Sequence, residues 1–229
     1  FIAPGTELDW FEKWKAQRMK WHLALGTPAN KLKFKDHDNL AHYANAATDI
    51  QFEFPFGFKE LEGIHSRTDF DLKSHQELSG KKLTYFDQEK NEAYVPYVVE
   101  TSIGADRMFL AMLSNNLKEE SVPDSKGEDS TRLVFKIHPA LAPVKCAVLP
   151  LVKNKEELTS KAKTIYDKLK LQFQCQYDDK DAIGRRYRRQ DAIGTPICIT
   201  VDFETLDDNC VTVRDRDTLV QQRVPIEKL

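Results

Sequence analysis

The sequence predicts an α+β unit with an antiparallel sheet, followed by an α/β unit with a mainly parallel sheet. Three observations predict it. From Asp49 onward the apolar residues alternate strictly with polar ones, at Ile50, Phe52 and Phe54, and after an interruption at Pro55-Phe56-Gly57 the pattern resumes from Phe58 to Ile64. That is the period of a half-buried antiparallel pair. Lys118 to Ser130 is charged, nearly devoid of apolar side chains, and carries Pro123 and Gly127, so it reads as a linker or an exposed loop between two domains. Beyond it strands and helices alternate, which implies a sheet covered by helices on both faces. The expected division is 1–119, a linker at 120–130, and 131–229.

Glu7 to Leu25 is rich in helix formers, carries Trp10, Phe11, Trp14, Met19 and Trp21, and is broken by Gly26-Thr27-Pro28. A second helix is expected over Asp38 to Ala46. Lys82 to Phe86 and Ala93 to Glu100 predict strands around the turn-rich Asp87 to Asn91. Gly104 to about Asn116 should be a helix, apolar on several faces and so central. In the second unit, strands are expected at Leu133–Ile137, Cys146–Val152, Leu171–Tyr177, Ile197–Val201 and Cys210–Val213. Between them, Lys155 to Leu169 puts Leu158, Ala162, Ile165 and Leu169 on one stripe, and a basic helix from Ile183 to Ile193 stops at Gly194.

Composition narrows the function class. The 229 residues carry a formal charge of −2, with 41% hydrophobic and 31% charged residues, so any nucleic-acid contact must come from a local patch. No apolar run approaches the roughly 20 residues needed to span a bilayer, and no secretory leader is visible. Cys146, Cys175, Cys198 and Cys210 are widely spaced on predicted strands, which suggests buried free thiols, a reducing compartment and no structural zinc. His37 and His42 are five apart with His65 distant, poor spacing for a metal.

The most informative stretch runs from Val98 to Leu113. A β-branched strand delivers Glu100 and Ser102 to one face and Thr101 to the other, then Gly104 turns the chain into a helix whose first turn carries Asp106 and Arg107. The free amides of a helix start favour an anion, Gly104 allows close approach, and Arg107 offers a planar cation suited to phosphate or to stacking on a base. A carboxylate for a cation beside an arginine for an anion suits a zwitterionic or nucleotide ligand. A plainer alternative makes Glu100 and Arg107 an ion pair at a buried corner. Glu60 and Glu62, two apart on a strand, could hold magnesium or simply face solvent. Arg67 could line the same cavity or pair with Asp69 or Asp71. Arg185, Arg186, Arg188 and Arg189, interleaved with Tyr187, could contact RNA or form a solvated face paired with Asp178, Asp179, Asp181 and Asp191.

The Glu-Thr-Ser-Ile-Gly-Ala-Asp-Arg wording at 100–107 resembles motif 3 of class II aminoacyl-tRNA synthetases, in the form found in homodimeric glycyl-tRNA synthetases. Phe34 to Ile50, Phe54 to Leu72 and Ile183 to Pro196 resemble the same family, in the family's order. The resemblance implies the end of a class II catalytic core built on an antiparallel sheet, with motif 3 at 98–113, followed by an anticodon-binding domain. It implies activation of glycine with ATP and transfer to tRNA-Gly, with Mg2+ accompanying ATP, by a cytoplasmic homodimer. Glycine-binding residues would be Glu100, Thr101, Ser102, Ile103 and Gly104. ATP would meet Glu60, Leu61, Gly104, Ala105, Asp106 and Arg107, and tRNA would meet Arg185, Arg186, Tyr187, Arg188 and Arg189. No side chain acts as a covalent catalyst in that chemistry.

The chain opens Phe1-Ile2-Ala3-Pro4-Gly5 without an initiating methionine, as though entering from a strand, and neither motif 1 nor motif 2 is found. It therefore reads as a piece of the enzyme, with little or no activation expected of it alone. The alternatives are a non-catalytic nucleic-acid-binding relative of class II synthetases, and a plain protein-interaction domain.

Overall fold

The computed structural model describes residues 1–123, 127 and 129–229. The chain divides into two compact units, Phe1–Asn115 and Asn116–Leu229.

The first unit begins with helix α1, Glu7–Ala24, and builds a four-stranded sheet from β1 (Leu32–Asp36), β2 (Ala46–Phe54), β3 (Gly57–Ser66) and β6 (Val99–Ile103), in that spatial order and antiparallel throughout. Between β3 and β6 lie α2 (Phe70–Ser79) and a hairpin of β4 (Tyr85–Asp87) and β5 (Glu92–Tyr94). Helix α3 (Ala105–Asn116) follows β6. The alternation read from Asp49 holds: Ile50, Phe52 and Phe54 are buried and pack with Phe11, Leu61, Ile64 and Ala111.

Glu62 holds α1 to this sheet. Its carboxylate accepts hydrogen bonds from His22 Nε2 at 2.8 Å and from Arg18 Nη2 at 3.2 Å, and both Glu62 and His22 are almost wholly buried. Burial alone would raise the carboxyl's pKa, but the hydrogen bonds from His22 and Arg18 outweigh it and hold Glu62 below its ordinary value.

Several expectations are corrected here. Asp38 to Ala46 is not helical; it is a run of turns leading into β2, because its backbone is engaged by the strands, with His37 N donating to Ala47 O and Asn45 N to Ser66 O. Helix α2 was not expected, nor was β1, whose single buried residue, Leu32, leaves no apolar pattern. Helix α3 is superficial rather than central: Ala111 and Asn115 are its buried residues, while Phe109 is 57% exposed.

The second unit opens with a hairpin of β7 (Leu117–Pro123) and β8 (Asp129–Phe135). Much of the stretch read as a linker, 120–130, lies in these strands, and residues 124–126 and 128 fall outside the described residues. A five-stranded sheet follows, made of β9 (Cys146–Pro150), β10 (Cys175–Tyr177), β11 (Ile197–Val201), β12 (Cys210–Asp215) and β13 (Gln221–Pro225), in the order β10-β9-β11-β12-β13. Its β10-β9 and β9-β11 pairings are parallel and its β11-β12 and β12-β13 pairings antiparallel. The sheet is thus mixed rather than mainly parallel, because the edge strand β13 returns on β12.

Helices cover both faces of this sheet. Helix α4 (Glu156–Leu169) buries the expected stripe of Leu158, Ala162, Ile165 and Leu169 against Cys146, Val148, Ile199 and Val201. Full burial of such side chains is worth roughly 1.5–3 kcal/mol each. Helix α5 (Ile183–Ile193) sets Ile183 and Tyr187 against Ala147, Leu149 and Cys198, the alternate residues of the same strands. A short helix, α6 (Glu204–Asp208), leads into β12. Gly194 ends α5 at φ 86°, and a Cβ there would stand 2.8 Å from Ile137 Cγ2, so both conformation and space require glycine. All four cysteines are free thiols on strands, with Cys146 and Cys198 buried and Cys175 and Cys210 partly exposed.

Asp191, fully buried on α5, ties this unit together. It receives Arg214 through two hydrogen bonds of 2.8 and 2.9 Å and Arg132 through a third of 3.2 Å, while Arg132 also bonds Glu120 and the Arg216 carbonyl. Strands β8 and β12 and helix α5 meet on that carboxylate, and β7 joins them through the Glu120–Arg132 pair.

Asp191→Ala would leave two arginines without their buried partner, and is expected to cost about 3–5 kcal/mol in urea unfolding monitored on the second unit. Because the folded Glu62 carboxyl ionises below 4.5, its stabilisation is complete above that pH and is lost as the pH falls through the folded value. The first unit of Glu62→Gln should therefore show a flatter fall in urea midpoint below about pH 4.5 than the wild type.

Candidate functional site

The strand alternation that buries Ile50 and Glu62 on the α1 side turns their neighbours to the opposite face of the sheet. Cross-strand partners share a face. Lys35, Asp49, Gly63 and Ser102 therefore form one row across the four strands, and Ala47, His65 and Glu100 form the next. Glu100 and Ser102 share this face, as the alternation predicts, and Thr101 lies on the other, opposite Ile64. Ile103 packs into the core beside Glu62, so of the residues assigned to glycine by resemblance, Thr101 and Ile103 do not share the face of Glu100 and Ser102.

Gly63 sits in the middle of this face. A Cβ on it would stand 2.7 Å from His65 Cε1, so the missing side chain is what allows the imidazole to lie over the strand. His37 joins the cluster through a 2.9 Å contact to Asp49, and its ring lies 5.7 Å from that of His65. His65 Nδ1 is buried with no hydrogen-bond partner. These three residues were not assigned from sequence as a site. The signal was present in the continuation of the β2 alternation back to Asp49, but the meeting of His37 with His65 needed the β1-β2-β3 register. Among the described residues, no group of three or more His, Cys, Asp or Glu side chains could hold a metal ion.

Glu100 is held by Arg67, whose Nη1 donates to its carboxylate at 2.8 Å. The same guanidinium gives its Nε and Nη2 to Asp71 at 2.7 and 3.0 Å, and its plane lies 4.1 Å above the Tyr43 ring. Hydrogen bonding to Asp71, opposed by partial burial and helped by Glu100, raises the Arg67 pKa further, and Arg67 in turn lowers that of Asp71. Of the two alternatives for Arg67, the structure shows the pairing with Asp71; the recess beside Glu60 and Arg107 is lined by other residues.

The start of α3 adds the second half of the site. Gly104, Ala105, Asp106 and Arg107 are exposed in its first turn. A Cβ on Gly104 would meet only Arg107 methylenes at ordinary contact distances, so the glycine keeps the approach open without any unusual backbone conformation. Arg107 pairs with Glu60, donating to its carbonyl at 3.0 Å and lying 3.2 Å from its carboxylate, rather than with Glu100. Arg107, Glu60, Lys59, Leu110, Phe54 and Phe56 line a recess of about 300 Å3, in which the two phenylalanine rings stack 5.2 Å apart.

The Glu60–Glu62 pair does not form a magnesium site. The β2-β3 register shifts between Ile50, which pairs with Glu62, and Gln51, which pairs with Glu60, so Leu61 is the extra residue of a bulge. Glu60 and Glu62 consequently face opposite sides of the sheet, and the Leu61 side chain is turned into the core.

On α5 the five residues expected to meet RNA separate. Arg186 is buried and donates to the carbonyls of Leu151 and Asp178, and Tyr187 packs inward with its hydroxyl 2.6 Å from Thr200 Oγ1. Arg189 is clasped by Asp178 and Asp181, Arg188 bonds Ser130 Oγ, and Arg185 projects with its side chain 80% exposed. The aromatic expected to stack on a base is thus part of the core.

Comparison with known proteins agrees with this geometry. Residues 145–229 match the family described as anticodon binding domain. The whole chain is 50% identical over 231 residues to the glycine--tRNA ligase of Agathobacter rectalis, covering 49% of that protein. It is 52% identical over 229 residues to that of Chlorobaculum tepidum, covering 47%. Among solved structures, prolyl-tRNA synthetase from Cryptosporidium parvum, complexed with L-proline and AMP, shares the fold with a TM-score of 0.61 at 16% identity, over 97% of this chain and 45% of that one. An antiparallel sheet with one bare polar face, ending in the 100–107 turn and followed by an anticodon-binding domain, is the architecture of a class II aminoacyl-tRNA synthetase. Within that class the chain belongs with the glycine--tRNA ligases, and it spans about half the length of the curated relatives it matches. Among the described residues no helix is long and apolar enough to cross a membrane.

Gly63→Ala is expected to displace the His65 ring at little cost in thermal midpoint, since the obstacle is the end of a movable side chain; shifted His65 imidazole resonances in NMR would show the displacement.

Proposed function

We propose that this chain supplies the amino-acid and nucleotide subsites, and the anticodon-binding domain, of a glycine--tRNA ligase that activates glycine with ATP and transfers it to tRNA-Gly. The observation that carries this is the placement of Glu100 and Ser102 on one face of the sheet, opposite α1 and in line with the exposed first turn of α3. In this proposal Glu100 receives the glycine ammonium and Ser102 fixes its orientation. The amides from Gly104 to Arg107 face phosphate, as helix starts favour, and Arg107 with the adjoining recess receives the base. The glycine carboxylate attacks the α-phosphate, pyrophosphate leaves, and the terminal hydroxyl of tRNA then takes the glycyl group. That chemistry is governed by positioning and charge stabilisation.

Glycine is selected by leaving no room for a β-carbon, which needs no editing step. On α5, Arg185 is the arginine best placed to reach tRNA, with Arg188 and Arg189 at its flanks. Thr101, Ile103 and Leu61 contribute backbone rather than side chain to the two subsites. Homodimerisation and a cytoplasmic location complete the proposed setting. Magnesium enters with the nucleotide phosphates and not through a Glu60–Glu62 site.

ATP–pyrophosphate exchange, measured across all amino acids on the full-length protein containing this chain, tests the proposal. Exchange with glycine alone supports it. No exchange from a folded protein would move the function to a non-catalytic nucleic-acid-binding relative. Glu100→Ala is expected to abolish glycine-dependent exchange, and near-normal exchange in that variant would remove the role given to Glu100.

A further inference from the structure

We propose that Asp71 is a positioning residue for the ammonium subsite: by occupying two nitrogens of Arg67, it leaves Glu100 anchored yet still negatively charged toward the substrate. The inference rests on the glycine--tRNA ligase reading of the Glu100 face.

The difficulty it resolves is electrostatic. A carboxylate that must attract an ammonium is hydrogen-bonded in the free protein to a permanent cation, the Arg67 guanidinium, at 2.8 Å. A one-to-one pair of that kind would be neutral and would compete with the ligand. Here the guanidinium is shared. Asp71 takes the Nε and Nη2 edge in a bidentate pair, and Glu100 receives only Nη1. One cation between two carboxylates leaves the trio with an excess negative charge, and the unshared side of Glu100 carries it. Glu100 lies on the bare sheet face, where an incoming ammonium finds that side.

Geometry holds the division in place. Asp71 stands in the first turn of α2, a helix position that favours a carboxylate, and the turn at Thr68-Asp69 leading into the helix sets Arg67 beside it. The Arg67 Cζ also lies 4.1 Å from the centre of the Tyr43 ring, a cation–π contact that adds to its anchorage. If Asp71 were neutral, Arg67 could swing its paired edge to Glu100 and cancel the charge that the ammonium needs. Asp71 touches neither substrate, so its effect must pass through Arg67.

The test uses the full-length protein and ATP–pyrophosphate exchange at varied glycine and varied ATP. Asp71→Asn should raise the KM for glycine about tenfold, in keeping with the loss of a charge-assisted interaction, while kcat and the KM for ATP stay within about twofold. Asp71→Glu, which keeps a carboxylate for the guanidinium, should recover most of the glycine affinity lost in Asp71→Asn. An unchanged glycine KM in Asp71→Asn would overturn the proposal. So would a loss spread evenly over kcat and both KM values with a lowered Tm, the signature of a merely structural aspartate. If Asp71→Asn does not fold, Asp71→Ser carries the test alone: its glycine KM must rise about tenfold with the KM for ATP within about twofold, and an unchanged glycine KM overturns the proposal. A wild-type protein that shows no glycine exchange removes the ligase reading and this inference with it, before any variant is made.

Discussion

The first unit depends on a charge placed where a sheet would ordinarily bury an apolar residue. Glu62 sits on the core face among Ile50, Ile64 and Ile103, and it is tolerable there only because Arg18 and His22 of α1 reach it. Removing such an ion from water costs several kcal/mol unless its partners are well placed. The partners all come from one helix, so the same contact that satisfies Glu62 fixes the position and direction of α1. With α1 committed to that side, the opposite face stays bare. Asp49, Gly63 and His65 are presented there by the two inner strands, and Glu100 and Ser102 by the edge strand β6, rather than by loops.

The second unit solves a related problem with a different arrangement. Asp191 lies near the C-terminal end of α5, where the helix dipole disfavours a carboxylate, and two arginines from β8 and β12 compensate. Gly194 then lets the chain leave the helix against Ile137 and Phe135 at a distance no side chain would allow. The inward side of α5 is accordingly polar: Arg186, Gln190 and Asp191 are buried there, with the Arg186 Nη atoms donating to backbone carbonyls and Gln190 donating to Gln176.

That inward polarity marks the limit of what the sequence made legible. Where burial is apolar and periodic, as at Ile50–Phe54 or along Leu158, Ala162, Ile165 and Leu169, the elements could be read directly. The buried stripe of α5 has the same helical spacing, Ile183, Arg186, Tyr187, Gln190 and Asp191, but mostly polar members, so it looked like a nucleic-acid surface. Edge strands β1 and β13 bury too little to leave a pattern. In the site, Glu100 and Ser102 were legible because strand alternation is local. His37 and Asp49 were not, because they meet His65 only through the β1-β2-β3 register; Asp71 was legible as a partner of Arg67, but the sharing of that fork with Glu100, across 33 residues of chain, was not. The Glu60–Glu62 spacing misled for one reason: alternation holds only where no residue is added.

That added residue, Leu61, gives the segment an unusual tolerance profile. Residues 60 and 62 serve unlike surroundings, one beside Arg107 at the recess and one against α1, and what separates them is a count rather than a chemical type. Evolution can exchange the side chain at 61 for another of similar bulk at modest cost. It cannot shorten the strand there by a single codon without turning Glu60 inward or Glu62 outward, which would disturb the recess and the helix anchor together. Length, at this point in the chain, is constrained by the fold more tightly than side-chain identity.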